Sequence, residues 1–371
     1  MLHNDVPGTD DITALATTVG PTCISIYTPT ERATSNASEK NHTGFANQVR
    51  EALEHVSDKH ERAAFEEQFA GLLEDEEYWR YQSRTLAVFA TTERLRTFRL
   101  PNRLLERTSV GDRFFVKPLL RAVTFPQSAF VLALAEGSVR VVEVSAEPPA
   151  QEVKITGLPT STASFADDSP QSYRARLGGV QDVGKKTRVA EYARAIDHQL
   201  RSLLGARGVP LILASAEPTS SIYRSVNSYT GLLDEGIDGN PEHTSDDELA
   251  SRSREVLDNF YKLQVADLAE QFDSRTSEGR TQTDLSDLAK SATFGAIDTL
   301  FVDIDAVVPG SIDPDDGTVS FGDEGGDVYG VVDEIARRTL LSSGRVLALR
   351  AEEVPGGGAA AAILRYAPTG G

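Results

Sequence analysis

The chain has 371 residues, enough for two or three domains, and its 40% hydrophobic and 25% charged content is ordinary for a soluble globular protein. No apolar run approaches the roughly 20 residues of a membrane span, and the N-terminus has neither the basic start nor the apolar stretch of a signal peptide, so a cytoplasmic protein with no membrane partner is expected. The net charge of −19 at first argues against nucleic acid, but residues 241–371 carry −14 of it, whereas residues 171–210 hold eight basic side chains against three acidic ones.

In chain order, residues 10–18 read as a helix. The run TCISIYTP alternates and is rich in β-branched and aromatic residues, so it reads as a strand ended by Pro29. It holds the single cysteine, Cys23, which excludes an internal disulfide and reads as a buried, inert thiol. Residues 43–57 and 60–80 place Phe45, Val49 and Leu53, then Phe65, Phe69, Leu72 and Leu73, at helical spacing. Residues 84–101 read as two strands around a polar turn, and GDRFFVKPLLRAV closes this first unit.

A second unit starts near Ser128 with a hairpin that turns at Glu136-Gly137-Ser138. A polar, turn-rich stretch over 159–184 leads into a helix over 185–204. Its apolar stripe is Val189, Tyr192, Ala193, Ile196, Leu200, Leu203 and Leu204, and Gly205 and Gly208 stop it. VPLILASAEP reads as a strand covered on both faces. GLLDEGIDGNPEHTSDDE, residues 231–248, reads as a linker. The third unit opens with a helix over 247–271. DTLFVDIDAVV reads as a buried strand, residues 310–330 as an acidic loop, and 329–342 as a helix with Val332, Ile335, Ala336 and Leu340 inward. RVLALRAEEV and AAAAILRY read as two strands around Gly356-Gly357-Gly358. The pattern implies an α/β fold class with three domains, at 1–126, 127–240 and 241–371.

The common catalytic signatures are missing. There is no Walker A loop and no nucleophile elbow. The six histidines show no metal-ligand spacing. Asp303, Asp305, Asp313, Asp315 and Asp316 cluster in sequence, and carboxylates bind Ca²⁺ or Mg²⁺. However, Asp313-Pro314-Asp315-Asp316-Gly317 is turn chemistry and reads as a solvated loop. Glu136, Glu143, Asp167 and Asp168 lack the spacing of an RNase H-like Mg²⁺ site. No metal and no cofactor is expected. There remains Gly178-Gly179-Val180-Gln181, at the end of a polar loop and just before a basic helix start. Arg174, Arg176, Lys185, Lys186, Arg188 and Arg194 surround it and suit phosphate contact. The plainer alternative is a flexible loop whose glycines supply turn conformations.

The run GAIDTLFVD…VPGGGAAAAILRY resembles the third domain of the archaeal-eukaryotic class-1 release factors, which ends on a glycine-rich turn and an Ile-Leu-Arg-Tyr strand, here Ile363-Leu364-Arg365-Tyr366. GPTCISIYTPT resembles the first strand of that family's N-terminal domain, and the glycine pair before a basic helix sits where its middle domain carries a Gly-Gly-Gln loop. The resemblance spans most of the chain, is strongest at the C-terminus, and is closest to the bacterial branch of the superfamily, which also relates to Pelota and to hibernation factors of the Balon type. It implies an N-terminal α/β domain, an RNase H-like middle domain and a C-terminal L7Ae-like α/β/α sandwich. It also implies tRNA mimicry in the ribosomal A site, rRNA and tRNA as partners, and an elongation-factor-like GTPase bound through the C-terminal domain. Gly178 and Gly179 would let the backbone approach the tRNA end, and Gln181 would be the catalytic residue of peptidyl-tRNA ester hydrolysis.

Two departures matter. Val180 separates the glycines from Gln181 and adds a stiff β-branched side chain. Residues 30–54 lack the Asn-Ile-Lys-Ser codon-reading motif, and no Tyr-x-Cys-x-x-x-Phe motif accompanies them. The sequence therefore reads as a ribosome-associated factor that occupies the A site without reading a stop codon, in hibernation or rescue. The alternatives are a peptidyl-tRNA hydrolase that uses Gln181, and a non-enzymatic protein-binding module acting off the ribosome.

Overall fold

A computed structural model describes residues 5–31, 36–125, 128–145, 150–168, 185–205, 209–322 and 329–367. Helix α1 (Thr9–Thr17) starts where the Gly8 amide donates to Asp11 Oδ2 at 3.1 Å. Strand β1 (Val19–Pro29) is buried continuously from Cys23 to Thr28 because the two-residue period of a strand feeds two cores. Ile24 and Ile26 join one cluster with Phe45, Val49, Phe65, Phe69 and Trp79. Cys23 and Tyr27 join another. The first cluster is roofed by α2 (Ala37–Glu54), α3 (Lys59–Leu73) and α4 (Glu76–Arg80). The single helix read over 60–80 is divided because Asp75 caps a new one, its carboxylate accepting from the Tyr78 amide at 2.9 Å. Strands β2 (Thr85–Ala90), β3 (Leu95–Leu100) and β4 (Arg107–Arg113) complete an antiparallel sheet of order β3-β2-β1-β4, and α5 (Lys117–Thr124) follows.

In the middle of the chain, β5 (Ser128–Leu134) and β6 (Val139–Ser145) form the expected hairpin, closed by the Ala135 amide on Ser138 O at 2.9 Å. After β7 (Gln151–Val153) come α6 (Thr162–Asp168), α7 (Lys185–Gly205), β8 (Leu211–Ser215), α8 (Thr219–Val226) and β9 (Ile237–Asp238). The sheet order is β7-β6-β5-β8-β9, with β8 parallel to both β5 and β9. Residues 231–248 are therefore not a linker. Leu232 bridges to Leu211, Leu233 is buried, and Ile237 and Asp238 pair with β8. Gly236 makes this possible, because a Cβ there would lie 2.5 Å from Leu213 O. Helix α9 (Asp246–Ser277) then begins, and Arg140 from β6 binds Asp246 (3.1 Å) and the Thr244 carbonyl.

The last segment holds β10 (Thr281–Gln282), α10 (Leu285–Thr293), β11 (Ile297–Asp303), β12 (Gly310–Ile312), β13 (Val319–Phe321), α11 (Val331–Leu341), β14 (Arg345–Leu349) and β15 (Ala360–Leu364). Its main sheet runs β10-β15-β11-β14, with β11 and β14 parallel. Part of the acidic loop is a hairpin, β12–β13. Its tip is the expected turn, where Asp313 Oδ1 accepts from the amides of Asp315 (2.8 Å) and Asp316 (3.1 Å). The mixed α/β class thus holds.

The chain forms two compact units. One comprises residues 127–263, and the other joins residues 3–126 to 264–371. Inside the second unit a single core mixes Ile12, Leu15, Phe89, Phe115 and Leu119 with Leu288, Leu300, Val331, Ile335 and Leu364. The same unit holds a buried polar hub. Glu334 Oε2 accepts from Arg113 Nη1 (2.6 Å) and the Tyr329 hydroxyl (2.8 Å), and its Oε1 accepts from Arg338 Nε (2.8 Å) and Arg337 Nη1 (3.3 Å). Among the described residues, no helix is long and apolar enough to cross a membrane.

Candidate functional site

The basic helix α7 packs on the middle sheet through Val189, Tyr192, Ala193, Ile196, Leu200 and Leu204, against Phe130, Leu132, Leu134, Val141, Leu211 and Leu213. This is the stripe read from the sequence, with Leu203 at its edge. A buried carboxylate fixes the helix further. Asp197 accepts from the Ser228 amide (2.9 Å), the Ser228 hydroxyl (2.7 Å) and Arg201 Nη2 (3.2 Å). The turn that carries Ser228 is itself anchored, because the Tyr229 hydroxyl donates to Val209 O at 2.6 Å.

Helix α6 is held at its start. The Thr162 amide and hydroxyl both donate to Glu136 O at 2.9 Å, and the Ser161 hydroxyl lies within hydrogen-bonding reach of Ser164. Further along, the Phe165 ring sits 6.1 Å from the Tyr192 ring of α7. Helices α6 and α7 therefore pack on each other at Phe165 and Tyr192. Burial pushes the Tyr192 hydroxyl well above its ordinary pKa, and it finds no hydrogen-bond partner among the described residues. It stays a neutral phenol beside Phe165.

The site residues read from the sequence divide into two groups. Arg174, Arg176, Gly178, Gly179 and Gln181 lie outside the described residues, as does Val180. Lys185 begins α7. Lys186, Arg188 and Arg194 are exposed on that helix. Exposed cations beside a polar stretch of sequence suit a phosphate backbone, which is bound by charge at the surface rather than inside a cavity. Among the described residues no group of His, Cys, Asp and Glu could hold a metal ion. Sequence reading did not single out Asp197 or Ser228. The only local signal is an acidic residue beside the apolar stripe, four before Arg201, and its partner Ser228 lies in a turn with no distinguishing pattern.

No curated protein matches the sequence. Residues 126–263 match the family described as bacterial archaeo-eukaryotic release factor family 11, and these limits nearly coincide with the compact unit 127–263. The resemblance to the bacterial branch of that superfamily thus holds in the middle of the chain, while the C-terminal run that reads as its strongest part lies outside the matched residues. Solved structures are similar over nearly the full length at low identity. Archaeoglobus fulgidus Pelota is 14% identical, with 100% of this chain and 98% of that one covered and a TM-score of 0.33. The archaeal translation termination factor aRF1 is 13% identical, with 97% and 99% covered and a TM-score of 0.26. Dom34 of S. cerevisiae, described as a translation termination-like factor that interacts with Hbs1, is 11% identical, with 100% and 95% covered and a TM-score of 0.43.

Proposed function

We propose that this chain is a release-factor-like translation factor that binds the ribosome through its middle unit and occupies the A site without reading a stop codon. One observation carries the reading. The residues that match the release-factor family are the same compact unit that holds α6, α7 and the exposed cations of α7. In this reading Lys185, Lys186, Arg188 and Arg194 contact rRNA or tRNA phosphates, joined by Arg174 and Arg176. Gly178 and Gly179 approach the tRNA end. The three-part division at 1–126, 127–240 and 241–371 belongs to it, with an RNase H-like middle and an L7Ae-like end, and the acidic last part receives a GTPase. The missing Asn-Ile-Lys-Ser motif and the insertion of Val180 direct the factor toward hibernation or rescue in the cytoplasm. Binding needs no bond cleavage, so a Gln181→Ala chain still binds ribosomes.

Sedimentation with purified ribosomes, with and without an elongation-factor GTPase, tests this. The chain is expected to pellet at physiological salt and to be released as salt rises, since each phosphate contact contributes roughly 0.7–0.9 to the slope of log affinity on log salt. A chain that stays in the supernatant in both conditions contradicts the reading.

A further inference from the structure

A cavity of about 360 Å³ opens where the parallel strands β11 and β14 end, at Asp303 and Leu349. The carboxyl end of parallel strands is a recurrent ligand position in α/β sheets, because the chain turns away there and leaves a crevice. The volume falls within the ~300–1,000 Å³ of small-molecule sites. Five basic side chains line it, Arg103, Arg107, Lys117, Arg121 and Arg350, against three carboxylates, Asp303, Asp305 and Glu352. This cationic excess lies in a unit whose last part is strongly acidic, so the composition of the surface does not account for it.

Lys117 is 1% exposed. Its ammonium donates to Ala306 O and stands 3.7 Å from Asp333 Oδ1. An ammonium has three donors, Ala306 and Asp333 face it on two sides, and Lys117 lines the cavity. Burial pulls the ammonium's pKa down, and Asp333, Asp303 and Asp305 pull it back up. An anion in the cavity would do the same. Arg121 is already engaged, by the Phe125 ring at 4.7 Å, Ala348 O at 3.0 Å and the Glu353 carboxylate at 3.8 Å, and Arg107 lies 5.8 Å from the Phe115 ring. Arg103 and Arg350 are exposed, and among the described residues their guanidinium groups carry no ion pair. Two apolar side chains stand at the mouth, Leu105 at 70% and Val307 at 44% exposure. The larger cavity of about 790 Å³ near Arg113, Arg337 and Arg338 differs, because its guanidinium groups are turned onto Glu334, Asp112 and backbone carbonyls.

We propose that this cleft binds a phosphorylated small molecule of mononucleotide size, its phosphates taken by Lys117, Arg103, Arg107 and Arg350 and its apolar part laid against Leu105 and Val307. Asp303 and Asp305 are placed to accept from ligand hydroxyl groups. The site is separate from α7 and independent of the ribosome reading.

Calorimetric titration of the full chain with ADP, and separately with inorganic pyrophosphate and a short RNA, tests it. ADP is expected to bind, and Arg103→Glu with Arg350→Glu is expected to weaken it about tenfold or more, since charge-assisted phosphate contacts are the strong ones. Both positions are exposed, so the doubly substituted chain should keep its circular dichroism and still sediment with ribosomes as the unchanged chain does. Absence of ADP binding at millimolar concentration overturns the proposal. So does ADP binding of unchanged strength in the double variant, pyrophosphate that binds as tightly as ADP, or an RNA that binds where ADP does not.

Discussion

Glu334 shows how one side chain can hold elements from distant parts of the sequence. Burial alone would raise its pKa, but hydrogen bonds from Arg338 and Tyr329 and the charges of Arg113 and Arg337 outweigh that and hold the carboxyl below its usual range. A depressed folded value contributes stability that is present above the unfolded value of about 4.3 and is lost as pH falls through the folded one. Neighbouring Asp333 runs the other way, because burial raises it. Its contribution is present below about pH 3.9 and is lost as pH rises through its folded value. Glu334→Gln should therefore cost about 2 kcal/mol at pH 7, by replacing charge-assisted hydrogen bonds to the partly buried Arg113, Arg337 and Arg338 with neutral ones, while Arg113 keeps Asp112 and the other two keep their backbone carbonyls. Urea unfolding should show the gap between the two chains closing below about pH 4. A gap that is constant with pH would show that the carboxylate's charge is not the cause. On α7, Lys186→Glu with Arg194→Glu should lower ribosome sedimentation about tenfold and flatten its salt dependence, without changing the melting temperature. None of the Glu334 arrangement is legible in the sequence. The periodicity places Val332, Ile335, Ala336 and Leu340 inward, as the core has them, yet it says nothing of Glu334, because it cannot anticipate Arg113 arriving from 221 positions away.

At the scale of elements, the strongly periodic stretches are the ones that read correctly. The apolar stripe of α7, the β5–β6 hairpin and the continuous burial of β8 follow from spacing and turn chemistry alone. Residues 231–248 do not, because glycine, aspartate and proline mark both linkers and tightly packed turns. Gly236 decides between them through its approach to Leu213 O, a contact that sequence does not encode locally. Gly236→Ala should destabilise the middle unit by about 1–3 kcal/mol, since the backbone of β8 cannot yield as a flexible side chain would. Hydrogen exchange across residues 211–238 should show the lost protection at Leu211, Leu213 and Ile237. Unchanged exchange there would mean that this stretch is held by something other than its pairing with β8. The candidate site is legible only in part. Its helix and exposed cations follow from charge and period, whereas the clamp of Asp197 on Ser228 is visible only once the turn at 227–229 is in place.

At the scale of the molecule, the two ends of the chain share one core, and the middle forms the other unit. Local patterns cannot reveal a core that joins Ile12 to Leu364. Calorimetry of the full chain should resolve two transitions. Glu334→Gln should lower only the transition of the unit that joins 3–126 to 264–371, and Gly236→Ala only that of 127–263. A single transition that moves in both variants contradicts this division. The family match falls on the middle unit, the part that carries α7 and its exposed cations, so the functional reading and the compact unit coincide. The most direct test is cryo-electron microscopy of the chain bound to ribosomes. The chain is expected in the A site, with residues 178–181 beside the peptidyl-transferase centre and α7 against RNA phosphates. A chain bound elsewhere, or one with residues 178–181 turned away from that centre, contradicts it.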